Sequence, residues 1–210
     1  EGMLASQHNL LAVVEPLLRG QAPDWVPLAG AMPTIMNTRG VANAEALADI
    51  ANGIRPGCAR MVCGETPDDE RKQLFKDFAA GAFQFLTNDS VCTEGVDLPF
   101  ACAAAMCAPT KSITVYTQRS GRVFRPLTEL ACDPAFNLDS ADGRKLRIAA
   151  SRKPFCVIFD FVGSSKKHKL ITPHDVLGGL YTDEVRARAR KITTEKTEMD
   201  VSSALALAER

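Results

Sequence analysis

Five short apolar runs alternate with stretches of helical period, and this alternation constrains the fold more than any other feature of the chain. The runs are "PTIMN" (33–37), "RMVCG" (60–64), "FQFLTN" (83–88), "FACAAAMCA" (100–108) and "PFCVIFDFVG" (154–163). Short continuous apolar segments bounded by turn residues read as strands buried on both faces. The alanines of 100–108 favour helix by propensity, but Pro99 and Pro109 bracket the run and its length suits a strand. Between the runs, Ala44, Leu47, Ala48 and Ala51 stand at i, i+3, i+4 and i+7, which predicts a helix over 43–54. A second helix is predicted over 66–81. Thr66 is its cap, Pro67 its first residue, and Asp68, Asp69 and Glu70 complement the helix dipole. Leu74, Phe75 and Phe78 face inward, and Gly81 follows the last turn. Strands alternating with helices in this way predict an α/β domain, a parallel central sheet with helices on both faces.

Composition restricts function less than it restricts fold. Apolar residues make up 46% of the 210-residue chain, enough for a sizeable core. Lysine plus arginine equals aspartate plus glutamate at 25 each, so net charge carries no message about partners. The halves differ: residues 1–100 hold 7 basic and 13 acidic side chains, and residues 101–210 hold 18 and 12. The seven cysteines include no C-x-x-C pair and sit mostly in apolar runs, which reads as reduced core thiols in a cytoplasmic protein. Three histidines, His8, His168 and His174, lack ligand spacing, and no metal site is expected. The segment "LLAVVEPLL" is broken by Glu15 and Pro16, and no signal peptide or membrane span is expected. The first residue is Glu rather than Met, so a fragment or processed product is expected.

The chemistry is concentrated in "YTQRSGRVFRP" (116–126), which sets Gln118, Gly121, Arg122 and Arg125 within eight residues. Arginines three apart share one face of a helix, and behind a glycine that admits close backbone approach they can reach one multiply charged anion. The guanidinium suits this because its planar fork stays charged and binds phosphate oxygens bidentately. Alone, the pair is better explained as partners of surface carboxylates. Upstream, "LTNDSVCTEGVD" (86–97) is a strand running into a loop with Thr93, Glu94, Gly95 and Asp97. In open parallel sheets such loops, beyond the carboxyl ends of strands, are where ligands bind.

These blocks, in this order, resemble the second motor domain of superfamily-two helicases, the DEAD/DEAH-like group, of bacterial or phage type. "NDSVCTEGVD" is similar to that family's motif V, and "QRSGRVFR" matches its motif VI pattern Q-x-x-G-R-x-x-R. "PTIMNTRGVANAEALADI" resembles motif IV and its following helix, "GETPDDERKQLFKDFAAG" the segment between motifs IV and V, and "KPFCVIFDFVG" the closing strand. The resemblance implies a RecA-like fold. It implies that Arg122 and Arg125 are arginine fingers for ATP hydrolysis, with Gln118 beside the same phosphates. It implies that Gly95, Asp97 and Gly121 serve the nucleotide cleft, and that Thr93, Thr38 and Thr66 contact a DNA or RNA backbone. ATP with Mg²⁺ would be held mainly by an N-terminal RecA-like domain absent from this chain. No G-x-x-x-x-G-K-[ST] occurs, and no glycine is followed by lysine. The alternative is a non-catalytic RecA-like module for nucleic-acid or protein binding, which has no need of paired fingers.

The implied organisation is an N-terminal helix and linker at 1–29, a helicase C-terminal domain at 30–170, and a helical extension at 171–210. Residues 127–153 read as an irregular polar excursion, and 181–210 as helix. The run "RARARK" (186–191) reads as a solvated basic face that could also touch nucleic acid.

Overall fold

The computed structural model describes residues 32–93, 96–110, 112–127, 137–160, 173–195 and 199–210. The expected N-terminal helix at 1–29 lies outside them. They form two compact units. The first runs up to Ala108 and resumes from Gln118 to 160. The second comprises Pro109–Thr117 and the residues from 173 to Arg210.

The first unit is built on five strands: β1 (Thr34–Asn37), β2 (Ala59–Val62), β3 (Phe85–Asn88), β4 (Ala103–Met106) and β5 (Val157–Asp160). All four pairings are parallel, in the order β2-β3-β1-β4-β5. This is the parallel α/β sheet that the run pattern predicts. Every residue of β1, β3 and β4 is buried, as continuous apolar runs require. β2 lies at an edge and keeps Arg60 exposed. The alanines of β4 are a case of packing overriding helical propensity, because a central strand is decided by what its small side chains meet.

Helix α1 (Val41–Ile54) buries Ala44, Leu47, Ala48 and Ala51, the four positions picked by spacing. Leu47, Ala48 and Ala51 join Met36, Cys58, Ala59, Phe85 and Ala105 in one apolar cluster. Helix α2 (Asp68–Ala79) buries Leu74 and Phe78, with Phe75 half-buried. Phe78 stacks on Phe83 at 5.2 Å and meets Phe100 edge-on at 5.3 Å, tying the helix to the segments before β3 and β4. The N-terminus of α2 differs from the expectation. Pro67 occupies the cap position, and the Thr66 hydroxyl instead accepts the Cys63 N–H at 3.0 Å. The N-cap residue makes no side-chain cap hydrogen bond, while Asp68, Asp69 and Glu70 do occupy the first helical turn.

α3 (Ile113–Gly121) follows β4 and passes from the second unit into the first at Gln118, and α4 (Ala141–Ala149) of the first unit precedes β5. α4 corrects the reading of 127–153 as irregular. The Ser140 hydroxyl accepts the Gly143 N–H at 3.0 Å, a regular N-cap on a polar sequence whose one apolar stripe is short. Residues 128–136 lie outside the described set.

The second unit contains α5 (Pro173–Leu177), α6 (Asp183–Glu195) and α7 (Val201–Glu209). Where one helix was expected over 181–210 there are two. Asp200 accepts the Ser203 N–H at 2.9 Å and begins a new helix. Ala189, Ala204, Leu205 and Ala208 form the core. The "RARARK" run is not simply a solvated face. Arg190 hydrogen-bonds the buried Asp175, and Arg186 Nε lies 3.9 Å from the same carboxylate.

Candidate functional site

The carboxyl edge of the sheet is assembled by buried polar side chains. Asn88, at the end of β3, donates from Nδ2 to the Met36 carbonyl at 3.1 Å and accepts the Cys92 N–H on Oδ1 at 3.3 Å. Thr38, just past β1, donates both its N–H and its hydroxyl to the Asn88 carbonyl, each at 3.0 Å. One asparagine therefore fixes where the chain leaves two neighbouring strands. β1 and β4 are adjacent, yet β1 connects onward to one side of the sheet and β4 to the other. Divergent connections of this kind open a crevice at the carboxyl edge.

The loop after β3 turns at Ser90, whose φ of 63° is left-handed, and passes through a 3-10 turn at Val91–Thr93. Cys92 and Leu98 anchor it, fully buried on either side of its tip. Burial pushes the Cys92 thiol up to about 12, with the Arg122 charge pulling the other way. Gly95 lies outside the described residues. Asp97 is well exposed.

Arg122 and Arg125 both reach this loop, though not from a helix. α3 ends at Gly121, and the Val123 N–H closes a turn on the Ser120 carbonyl at 3.1 Å. Glycine is a poor helical residue, and Pro126 disfavours helical backbone at Arg125. The shared helical face is thus replaced by a turn pinned by Val123, which is fully buried. From it, Arg122 Nη1 donates to the Val96 carbonyl at 2.6 Å, and Arg125 Nη1 pairs with Asp97 Oδ1 at 2.5 Å. With both side chains about half-exposed, such a pair adds no more than about 1 kcal/mol and can be exchanged for another anion. Gln118 is half-buried on α3. A Cβ at Gly121 would meet nothing within 4 Å, so the close approach expected there is not made within this chain.

The three threonines occupy one edge. Thr38 follows β1, Thr66 follows β2, and Thr93 follows β3 in sequence, all beyond carboxyl ends of adjacent strands. Thr38 is only 3% exposed and its hydroxyl is engaged internally. Thr66 is half-buried and holds the Cys63 amide. Sequence reasoning missed Arg119. It is buried, and burial lowers its pKa against the opposing pull of Asp89 and then Cys107. Its position inside "QRSGRVFR" was the available signal. Among the described residues no group of three or more His, Cys, Asp or Glu could hold a metal ion.

Residues 34–126 match the family model described as the helicase conserved C-terminal domain. The match begins at β1, ends at Pro126, and takes in every site residue named above. Two curated proteins are similar to parts of this chain. A 51.5 kDa protein of a Lactococcus phage is 38% identical over 64 residues, 30% of this chain. A Saccharomyces cerevisiae protein named as ATP-dependent helicase IRC3 is 28% identical over 124 residues, 59% of this chain. The chain spans about 14% of the length of each. Among solved structures, E. coli SrmB bound to RraA has a TM-score of 0.49 at 18% identity, over 74% of this chain and 72% of that one. The helicase domain of Pyrococcus furiosus Hef scores 0.46 at 18% identity, over 76% and 26%. S. cerevisiae Dbp5 bound to RNA and ADP BeF3 scores 0.46 at 16% identity, over 83% and 39%.

Proposed function

We propose that the helicase C-terminal domain in this chain is one half of an ATP-dependent motor that moves along DNA or RNA. Arg122 and Arg125 are its arginine fingers. The observation that carries this reading is the convergence of both guanidiniums on the loop after β3, at the carboxyl edge of a parallel sheet. The yeast relative's name supplies the ATP dependence. The donor set suits a polyphosphate: the two guanidiniums end on successive residues of one loop, Val96 and Asp97, with Gln118 on the helix that leads to them. Asp97 offers a carboxylate for a ribose hydroxyl or a water. Gly121 leaves backbone room beside them, and Gly95 is proposed to serve the same cleft. No P-loop sequence is present, so the phosphates of ATP, which supply the driving force when bound, would be gripped by an N-terminal RecA-like domain. The residues here would then orient and neutralise charge across the cleft.

The threonine edge serves the nucleic acid. Thr93 and Thr66 are proposed to donate to backbone phosphates, while Thr38, buried on Asn88, holds the edge in position for them. Contacts of that kind position a strand without reading its sequence.

Replacing Arg122 or Arg125 by alanine in the complete enzyme should lower kcat by about 10³-fold or more and leave nucleotide affinity nearly unchanged. Finger contacts strengthen as charge develops on the transferring phosphoryl group. Weakened nucleotide binding at intact kcat would show that these arginines are ground-state ligands. No effect on either would favour a non-catalytic binding module.

A further inference from the structure

Lys153 lies beyond the segment that matches the helicase model, in the link between α4 and β5. It is a lysine with 5% of its surface exposed. Its ammonium donates to the Pro99 carbonyl at 2.7 Å and to the Arg125 carbonyl at 2.8 Å. Those acceptors belong to separate loops. Pro99 stands two residues after Asp97, and Arg125 is the residue whose guanidinium meets Asp97. The two loops are therefore joined three ways: by Arg122 on the Val96 carbonyl, by the exposed Asp97–Arg125 pair, and by the buried Lys153 ammonium. Among the described residues no carboxylate pairs with Lys153. Its other electrostatic neighbours are the thiols of Cys102 and Cys156.

An ammonium held by carbonyls out of water is a costly arrangement, since burial disfavours the charged form. Burial does lower the pKa of Lys153, so the fold keeps this cation against a penalty. Packing alone would be served better by methionine. What methionine cannot do is hold two carbonyls together. We infer that Lys153 is a positioning residue that sets the backbone of Arg125 relative to the loop carrying Asp97. Arg125 thereby starts from one fixed place when it exchanges Asp97 for a phosphate. This rests on the finger reading, because a clamp on Arg125 matters to turnover only if Arg125 does.

The test uses the complete enzyme with Lys153→Met, Lys153→Arg, Arg125→Ala and the double variant Lys153→Met/Arg125→Ala. Hydrogen–deuterium exchange reads the clamp directly, and nucleic-acid-stimulated ATP hydrolysis reads its use. Lys153→Met should speed exchange in the segments around 96–101 and 122–127 while leaving α1 and α2 protected. It should lower kcat by roughly 10- to 100-fold with the KM for ATP within about twofold, the scale of a misplaced catalytic group. The double variant should be no slower than Arg125→Ala alone. Lys153→Arg keeps a cationic donor and should recover part of both the protection and kcat. Unchanged exchange in the two segments overturns the clamp, whatever happens to turnover. An additive loss of kcat in the double variant overturns its action through Arg125. Faster exchange with an inert Arg125→Ala overturns the finger reading instead, and with it the catalytic use of the clamp. If Lys153→Met fails to fold, Lys153→Arg carries the same comparison, and wild-type exchange and kcat in it would overturn the need for a two-carbonyl lysine clamp.

Discussion

His174 is buried in the second unit with Nε2 2.9 Å from the Thr193 hydroxyl. Burial, then the Arg190 charge, hold its pKa below the ordinary 6.5, with Asp175 opposing them. A histidine whose folded pKa is depressed contributes stability that is complete above the unfolded value. It is lost as pH falls from about 6.5 through the folded value, because the unfolded chain takes up the proton more readily. The helical unit of α5–α7 should therefore melt at lower temperature as pH drops below about 6.5. His174→Gln should flatten that dependence in melts recorded from pH 7.5 to 5. A dependence of equal slope in the variant would rule out His174 as its source. Single residues also mark the limit of sequence reading. Arg122 and Arg125 stand out in the motif pattern, but Lys153 merely heads the block read as the closing strand, and its role is defined only by carbonyls 28 and 54 positions away. Such a partnership leaves no local spacing to find.

Elements were legible where one face decides them. The strands showed as apolar runs and α1 as a four-position stripe, because burial writes those periods directly into the sequence. Element ends were less legible. Thr66 offered a cap by composition, but the turn after β2 claimed its hydroxyl. The end of α3 at Gly121 separated two arginines that spacing alone would keep on one helix. α4 was invisible because it is polar, with Leu146 well exposed, and carries a glycine in its first turn. That glycine has a reason. A Cβ at Gly143 would lie 1.9 Å from the Asn137 carbonyl oxygen, whereas one at Gly53 in α1 would meet nothing within 4 Å. Gly143→Ala should destabilise the first unit by about 1–3 kcal/mol through overpacking. Gly53→Ala should stabilise it by about 0.5–1 kcal/mol by removing a flexible residue from a helix interior. Urea denaturation of both variants tests the pair, and stabilisation by Gly143→Ala would contradict the turn geometry around Ser140.

At the scale of the molecule, charge and completeness set the expected behaviour. The 210-residue chain on its own should release no phosphate from ATP above background, since it has no P-loop. Turnover that survives repurification would contradict its reading as half of a motor. It should bind single strands weakly and without sequence preference, with log K falling by roughly 0.7 per neutralised phosphate for each unit of log salt. Fluorescence anisotropy over a salt series measures that slope, and salt-independent binding to one preferred oligonucleotide would contradict it. The edge strand β2 carries a different consequence. A parallel sheet ending in bare backbone invites a foreign strand to add to it, and that risk grows with the length and flatness of the border. Here the border is four residues long, and its outward side chain, Arg60, lies over the Phe83 ring with its guanidinium 5.8 Å from the centroid. A neighbouring copy seeking to extend the sheet at β2 would have to set its strand beside that charged side chain. The charge that spoils the strand's apolar pattern thus helps keep concentrated copies of the chain from polymerising.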